Sequence, residues 1–396
     1  MTFISHRRSD DARQIATDIK HGDTDLTSVE ILLCNLTLIP DDEPLTITFN
    51  NQLLRRNSLP SASKLLSAVE LLVEVGIVTW TKGQRGKRDM HQLHLISPLP
   101  LIDPTSIYTL IPDQIIVKGK PNKNDERKVI KTPFNRASRQ MEKDLDLINS
   151  VLRNAKIRFP MIHLYPDLDP TSKQLYRIFH EDLKNHGRFY GGFWENTPAV
   201  HRPYITIDGE PTVELDYKSM HPMMLYQIVG AKAPDNLYQI TGYTRKLVKS
   251  LFLILINADN ESGAMAALRD KHPEYARLTN DFLQPVIDKI RQAHAPIKNY
   301  LGTGAGRWLM FLDSTIANRV LMHFAKQGIP VLPVHDSFIV ATQHRRELDR
   351  VMRESFDAVL AEEVLKSRPR DPRDLGDTCL TDTQPQQLFD LVSLAI

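Results

Sequence analysis

Two ten-residue stretches share one design, VELDYKSMHP at 213–222 and VLPVHDSFIV at 331–340. In the first, Asp216 ends an apolar strand, and in the second, Asp336 lies in the turn between two apolar strands. A carboxylate at a strand end can point into a cleft while its strand stays buried. Two such carboxylates on neighbouring strands can hold two divalent cations about 4 Å apart, as in-line phosphoryl transfer requires. We predict such a site here; the alternative is that each aspartate only caps a strand or a turn.

The metal that suits this pair of aspartates is magnesium. Mg²⁺ prefers hard oxygen ligands and keeps several of its waters, so two carboxylates, a backbone carbonyl and substrate phosphates suffice to bind it. We therefore expect two Mg²⁺ ions as cofactors, and Mn²⁺ could replace them.

A helical stretch between the two aspartates carries a pair of cations. In RKLVKSLFLILINA at 245–258, Arg245 and Lys249 are one helical turn apart and share a face. Two cations on one face suit a nucleoside triphosphate, whose charge must be neutralised during transfer. The alternative is an ordinary basic pair on the surface. However, the apolar run at 251–256 must be buried, so the opposite, cationic face is expected to line a cleft.

At these positions the chain resembles the single-subunit right-hand polymerases, that is, family A DNA polymerases and phage-type RNA polymerases. Those families carry a first motif such as D-Y-S-Q-I-E or D-C-S-G-I-Q, then R-x-x-x-K, then H-D-S-F or H-D-E. This chain has DYKSMH at 216–221, then Arg245 and Lys249, then HDSF at 335–338, in the same order. HGRFYGG at 186–192 is also similar to the G-R motif of phage-type RNA polymerases.

This resemblance covers about 186–345 and implies a fold and a set of roles. The implied fold is a polymerase palm, an antiparallel sheet with helices, with short fingers at about 235–310. The implied roles are metal ligation by Asp216, Asp336 and the Tyr217 carbonyl, triphosphate binding by Arg245 and Lys249, a place beside the primer end for His335, and contact with template or hybrid backbone by Arg188.

The chain departs from the family pattern around the sugar of the incoming nucleotide. Family A DNA polymerases have a glutamate five residues after the first aspartate, where this chain has His221. Aromatic residues four and eight positions after the lysine are replaced by Leu253 and Asn257. Because both walls of the usual steric gate are altered, we assign His221, Leu253 and Asn257 to nucleotide binding and expect ribonucleotide use or poor sugar discrimination.

Charge is distributed unevenly along the chain. The 396 residues contain 50 Lys plus Arg and 48 Asp plus Glu, a net charge of +2, which by itself argues against nucleic-acid binding. However, residues 51–140 hold fifteen basic against seven acidic residues, whereas residues 1–50 hold four against nine. The whole-chain sum therefore hides a basic segment that could bind phosphates.

Within that segment, the pattern at 58–97 predicts a helix ending at Gly76, a strand, a basic turn and a second strand. This is the outline of a winged helix, which makes residues 1–97 a candidate nucleic-acid-binding α/β module. The alternative is a charged, solvated hairpin. The residues that the wing would present to phosphates are Lys82, Arg85, Lys87 and Arg88.

The remaining boundaries complete an α+β chain. Residues 98–137 are rich in proline and lysine and are predicted to be a basic linker. Residues 138–185 are predicted to be a helical, thumb-like region with helices beginning at Ser138 and at Thr171. Residues 186–396 are predicted to form the palm with its short fingers. Asp313 and Ser314 are expected to begin the helix before the third motif, with Asp313 as its N-cap.

Composition bounds the cellular setting. Two distant cysteines, Cys34 and Cys379, exclude a disulfide scaffold and a multi-cysteine zinc site. The sequence has no signal-peptide pattern and no long apolar run, so a cytoplasmic protein without a membrane segment is expected.

Together these features predict a template-directed nucleotidyltransferase. Its partners would be a nucleic-acid template, most simply DNA, and nucleoside triphosphates, and its products RNA or primers. One alternative is a DNA polymerase of a phage, plasmid or mobile element; another is a non-catalytic DNA-binding replication factor. A two-metal nuclease is a further alternative, because Glu214 shares a strand face with Asp216 and could supply a third carboxylate.

Overall fold

The structure is a computed structural model that describes residues 2–3, 6–38, 44–56, 58–82, 90–96, 102–111, 113–122, 126–165 and 167–367. It mixes helices with several sheets of mainly antiparallel strands, which agrees with the predicted α+β class. Over these ranges no helix is both long enough and apolar enough to cross a lipid bilayer.

The N-terminal region has its own hydrophobic core and a four-stranded sheet in the order β1-β3-β5-β4. Strands β4 and β5 pair antiparallel, with Val78 opposite Leu95, so the predicted succession of helix, strand and strand is confirmed. Arg85, Lys87 and Arg88, the predicted tip of this hairpin, lie outside the described residues. The elements are β1 (Thr2–Phe3), β2 (Arg7–Arg8), α1 (Asp10–Ile19), α2 (Leu26–Thr37), β3 (Leu45–Thr48), α3 (Asn51–Arg56), α4 (Ala62–Glu74), β4 (Val78–Thr81) and β5 (Met90–Leu95).

The middle of the chain forms a second four-stranded sheet, in the order β11-β10-β7-β8. Its elements are β6 (Tyr108–Thr109), β7 (Ile115–Pro121), β8 (Arg127–Ile130), α5 (Arg136–Asn154), β9 (Ile157–Arg158), β10 (Tyr176–His180), β11 (His186–Tyr190) and α6 (Phe193–Asn196). Helix α5 confirms the predicted helix from Ser138.

Two predictions for this region are wrong. The segment predicted as an irregular linker contains β7 and β8, and the second helix predicted between Thr171 and Asn185 is replaced by strand β10. Along β10, buried and half-buried residues alternate, and Arg177 and Phe179 face the core. Because β10 pairs in parallel with β7, about sixty positions earlier in the chain, its conformation depends on a partner that no local pattern reveals.

The C-terminal region contains a five-stranded sheet in the order β14-β15-β13-β12-β9. Its register sets Asp216 at the end of β13 directly opposite Ser337 at the start of β15. The elements are β12 (Thr206–Ile207), β13 (Glu210–Asp216), α7 (Met220–Ile228), α8 (Arg245–Asn257), α9 (Glu261–Lys271), α10 (Asn280–Ala293), α11 (Gly306–Ala325), β14 (Leu332–Val334), β15 (Ser337–Ala341) and α12 (Arg345–Ser367).

Helix α11 joins two hydrophobic cores. Leu309 and Ile316 belong to the core formed with α7, α8 and α10, whereas Val320 and Phe324 belong to the core beneath the two sheets. The helix begins at Gly306 rather than at Asp313, so the predicted N-cap role of Asp313 is wrong. Because α11 contributes to both cores, it fixes the position of the helical region relative to the C-terminal sheet.

Candidate active site

Asp216 and Asp336 meet at one edge of the C-terminal sheet. Strand β13 pairs antiparallel with β15, and the Tyr217 N–H donates a 3.3 Å hydrogen bond to the Asp336 carbonyl oxygen. Asp336 lies in the two-residue turn between β14 and β15, whose other residue, His335, has a φ of +57°. That left-handed conformation is unfavourable for histidine, and strain of this kind is concentrated at functional sites. The sheet therefore brings the two predicted metal ligands together.

Within the described residues, neither Asp216 nor Asp336 forms an ion pair. Burial, together with the negative charges of Asp336 and Glu214, raises the pKa of Asp216 to about 6, whereas Lys249 lowers it. Mutually repelling carboxylates at a strand end are a donor set that suits Mg²⁺. Among the described residues, no three or more His, Cys, Asp or Glu side chains are grouped so that they could hold a metal ion. A metal at this edge would therefore depend on the two aspartates together with backbone and solvent oxygens.

Glu214 is neutralised by other side chains. Arg202 donates two hydrogen bonds to its carboxylate, at 2.8 and 2.9 Å, and the Ser337 hydroxyl donates a third at 2.5 Å. A carboxylate held by a bidentate arginine and a serine has its oxygens engaged. Glu214 therefore stabilises the edge of the sheet. Its carboxylate oxygens are bonded to Arg202 and Ser337 and are not free to act as a third metal ligand.

The side chain of Tyr217 is anchored away from the edge. Its hydroxyl donates a 2.6 Å hydrogen bond to the Met352 carbonyl of α12, and its ring packs against Phe338 and Phe356. Only the backbone of Tyr217 is left to face the aspartates, which is the part that the resemblance assigns to metal binding.

The two predicted phosphate-binding cations face a common tyrosine. The Arg245 guanidinium and the Lys249 ammonium lie 5.4 and 5.7 Å from the centre of the Tyr238 ring, and the Tyr238 hydroxyl donates to the Ser219 hydroxyl. Both cations are exposed and, within the described part of the chain, neither forms an ion pair. Tyr238 thus connects the cationic face of α8 to the segment that follows Asp216.

The far end of α8 contacts the start of α11. The Asn257 amide donates to the Leu253 carbonyl at 2.7 Å. A Cβ atom added at Gly306 would meet Asn257 Oδ1 at 2.0 Å, so only glycine permits this approach. Asn257 is exposed and Leu253 half-buried, and both lie further along the side of α8 that carries Arg245 and Lys249.

Arg188 and His221 share one buried carboxylate, that of Asp313. The Arg188 Nη2 and Nε atoms donate to Asp313 Oδ2 at 2.5 and 3.1 Å, and His221 Nε2 lies 3.0 Å from the same oxygen. The Asp313 side chain is only 3% exposed. The structure therefore ties two predicted site residues to α11, through an aspartate that the sequence marked only as a helix cap.

His335 adjoins Arg188 and a row of rings on β10 and β11. Burial lowers the pKa of His335, and the positive charge of Arg188 lowers it further, against the opposing effect of Asp336. His335 contacts Tyr190 edge-on at 6.1 Å, Tyr190 lies parallel to His186, and His186 packs against His180 at 4.3 Å. The half-buried rings extend from the Asp336 turn across the middle sheet.

Sequence reasoning missed Asp313, Tyr238 and Arg202. None of the three stands at a motif position, and Asp313 carries only the ordinary signal of an N-cap, so pairing in space is what reveals them. Of the predicted wing cations, Lys82 is described; its ammonium lies 4.8 Å from the centre of the Trp80 ring, in the N-terminal region.

Comparison with known proteins adds no family to this geometry. No protein-family model matches the chain, and no curated protein shows significant sequence similarity to it.

Proposed function

We propose that this chain is a template-directed nucleotidyltransferase that joins nucleotides by two-metal phosphoryl transfer. The observation that carries the proposal is the pair Asp216 and Asp336, whose mutually repelling charges meet at one sheet edge within electrostatic reach of Lys249 on α8. Carboxylates and cations that are close but, among the described residues, form no ion pair suit a metal–triphosphate complex.

The residues divide the work by charge. Bound Mg²⁺ would activate the attacking hydroxyl and neutralise the departing pyrophosphate. Asp216 and Asp336 hold that metal, with the Tyr217 carbonyl as a further ligand. Arg245 and Lys249 bind the triphosphate and neutralise the charge that develops on it. His335, whose pKa is lowered by burial, lies beside the strand that is extended.

Supporting residues keep this geometry fixed. Arg188 and His221, both bonded to Asp313, hold β11 and the start of α7 against α11. Because Arg188 and His221 each lie within hydrogen-bond distance of Asp313, their positions near the two aspartates are fixed. Fixed groups reduce the reorganisation needed in the transition state. The Arg188 side chain is 20% accessible, which leaves it able to contact a nucleic-acid backbone.

In this proposal the C-terminal sheet with α11 and α12 serves as a polymerase palm, and α8 to α10 serve as short fingers. The N-terminal region serves as a winged-helix-like module that contacts nucleic acid through Lys82 and its neighbours. The antiparallel sheet with its two carboxylates, and the α4–β4–β5 succession, support these assignments. Binding through such a module should weaken as salt rises.

We further propose that the enzyme uses ribonucleotides and makes RNA or primers on a DNA template. The support is the absence of aromatic residues at Leu253 and Asn257, and the engagement of His221 by Asp313. The test is the ratio of kcat/KM for NTPs to that for dNTPs. Leu253→Phe should lower this ratio roughly tenfold, as expected when a pocket loses the space for one small group.

One alternative is weakened and the others remain outcomes of the test. The two-metal nuclease needs a third carboxylate, and Glu214 is occupied by Arg202 and Ser337. A strong preference for dNTPs would favour a DNA polymerase. A protein that binds DNA but adds no nucleotide would be a non-catalytic replication factor.

The decisive experiment supplies labelled NTPs or dNTPs with Mg²⁺, with and without template and primer. We compare the wild type with Asp216→Asn and Asp336→Asn, and use Asp235→Asn, an exposed aspartate outside the site, as the matched control. Product should form with the wild type and the control alone. The proposal fails if no combination gives product, and the site assignment fails if both site variants remain active.

A further inference from the structure

A cavity of about 350 Å³ lies beside the row of rings that leads to the Asp336 turn. Its lining includes the rings of Tyr176 and Tyr190, the backbone at 191–192, and the acidic groups of Asp169 and Glu195. The volume falls within the range of pockets that hold small organic groups. Nothing in the polymerase proposal uses this cavity.

Glu195 supplies an unsatisfied polar atom in this cavity. Its Oε1 atom is buried and has no hydrogen-bond partner among the described residues, whereas the carboxyl group interacts with the Gly191 N–H. Burial raises the pKa of Glu195 to about 8. A buried acceptor without a partner is unfavourable, so a ligand atom that donates to it would stabilise the site.

The tyrosine wall connects Glu195 to the candidate active site. The Tyr176 and Tyr190 rings contact each other at 6.0 Å, and both line the cavity together with Glu195. After burial, the charge of Glu195 contributes to raising the pKa of both phenols. Tyr190 in turn contacts His335. A group bound here therefore lies one tyrosine ring away from the turn that carries Asp336.

The chemistry of the lining selects the occupant. Asp167 and Asp169 disfavour a phosphate group, because like charges would be brought together. Aromatic walls favour a flat, uncharged ring. A free acceptor oxygen favours a ring that carries an amino group.

We propose that this cavity binds one unstacked nucleobase of a nucleic-acid strand at the active site, with its exocyclic amino group donating to Glu195 Oε1. The inference rests on the proposed function, which supplies the strand. Adenine, cytosine and guanine carry the required amino group, and thymine and uracil do not. The cavity thus gives the protein a contact with a base outside the nucleotide-addition site.

Binding of a labelled single-stranded oligodeoxyadenylate, measured by fluorescence anisotropy, tests this contact. An abasic residue is placed at each position in turn. For the wild type, one position should be sensitive, with affinity reduced about tenfold, the effect of losing one stacked base. Replacing adenine by thymine at that position should also weaken binding.

Variants assign the sensitive position to the cavity. Glu195→Leu and Tyr176→Leu should remove the difference between the intact and the abasic strand, whereas Glu195→Gln, which keeps an acceptor oxygen, should retain it. Glu142→Leu, at an exposed glutamate on α5, is the matched control and should behave as the wild type. Thermal unfolding of each variant confirms that it is folded.

Nucleotide addition by the wild type is measured in parallel, so that the two proposals can fail separately. Product formation together with an abasic scan that shows no sensitive position, or with a sensitive position that survives in both leucine variants, overturns the cavity proposal alone. Failure to bind oligonucleotide and to form product overturns both.

Discussion

The molecule contains two acidic centres close to each other, and they differ in how their charge is balanced. Asp313 is buried and pairs with Arg188 and His221. Asp216 and Asp336 meet at a sheet edge and form no ion pair with any described residue, and their repulsion contributes to the raised pKa of Asp216. Among the described residues, an aspartate is thus ion-paired at the Asp313 centre, whereas the aspartates at the sheet edge are not. The comparison shows that Asp313 is held by ion pairs within the fold, whereas Asp216 and Asp336 are the carboxylates that we propose bind a metal.

The largest expected effect is on catalysis at the Asp216–Asp336 edge. Asp336→Asn should reduce nucleotide addition by roughly 10³-fold, because each metal ligand contributes several kcal/mol to the transition state. Asp313→Asn should reduce it only about tenfold, since its role is to position other groups. Single-turnover rates with saturating Mg²⁺ measure both. Equal losses in the two variants would remove the distinction between the centres.

The next largest effect is on the stability that the buried Asp313 ion pairs provide. Asp313→Asn leaves the Arg188 charge poorly compensated, so it should lower the free energy of unfolding by about 3 kcal/mol. The matched control is Asp259→Asn, which breaks an exposed ion pair with Arg307, a residue of α11 like Asp313. This control should change the free energy of unfolding by less than about 1 kcal/mol. Urea denaturation measures both variants. A small effect at Asp313 would show that its ion pair does not stabilise the fold.

Cations on α8 extend the same comparison. Lys249→Ala should raise the KM for nucleoside triphosphate about tenfold to hundredfold, because a hydrogen bond from a charged group is lost. Lys246→Ala is the control: Lys246 lies on the same helix and is exposed like Lys249, but it is paired with Glu274 at 2.8 Å. If both variants raise KM alike, the effect is one of general charge, and the assignment of Lys249 to triphosphate binding is wrong.

The smallest expected effect is a pH-dependent change in stability without metal. Because the folded-state pKa of Asp216 is raised from 3.8 to about 6, the folded state binds more protons than the unfolded state between these values. Stability should therefore fall as pH rises through that window. Asp216→Asn should remove this part of the fall and stabilise the protein at pH 7 by about 1 kcal/mol, a value reduced for solvent screening. Thermal unfolding in chelator measures it; a destabilised variant at pH 7 would contradict it.

Much of the local structure could be predicted from the sequence. The helices α5, α8 and α12 and the hairpin carrying Asp336 have clear periodicity and strong boundaries, and the strand-end positions of the two aspartates brought them together as expected. These features depend on neighbours a few residues away, which is what a single sequence records well.

The parts that could not be predicted depend on distant partners. The local pattern predicts a helix where β10 lies, because the pairing of β10 with β7 is not local. Lys173 in the same stretch is almost fully buried because its ammonium donates to the Thr105 and Arg153 carbonyl oxygens, a pattern invisible in sequence. Asp313 was missed for the same reason, since Arg188 is more than a hundred positions away.

The most direct test of the central claim is the binding of divalent cations at the Asp216–Asp336 edge. Mn²⁺ binding is measured by electron paramagnetic resonance in the presence of nucleoside triphosphate for the wild type, Asp216→Asn, Asp336→Asn and Asp313→Asn. We predict that the wild type and Asp313→Asn bind Mn²⁺ and that the two other variants lose this binding. Unchanged Mn²⁺ binding in both Asp216→Asn and Asp336→Asn would contradict the account.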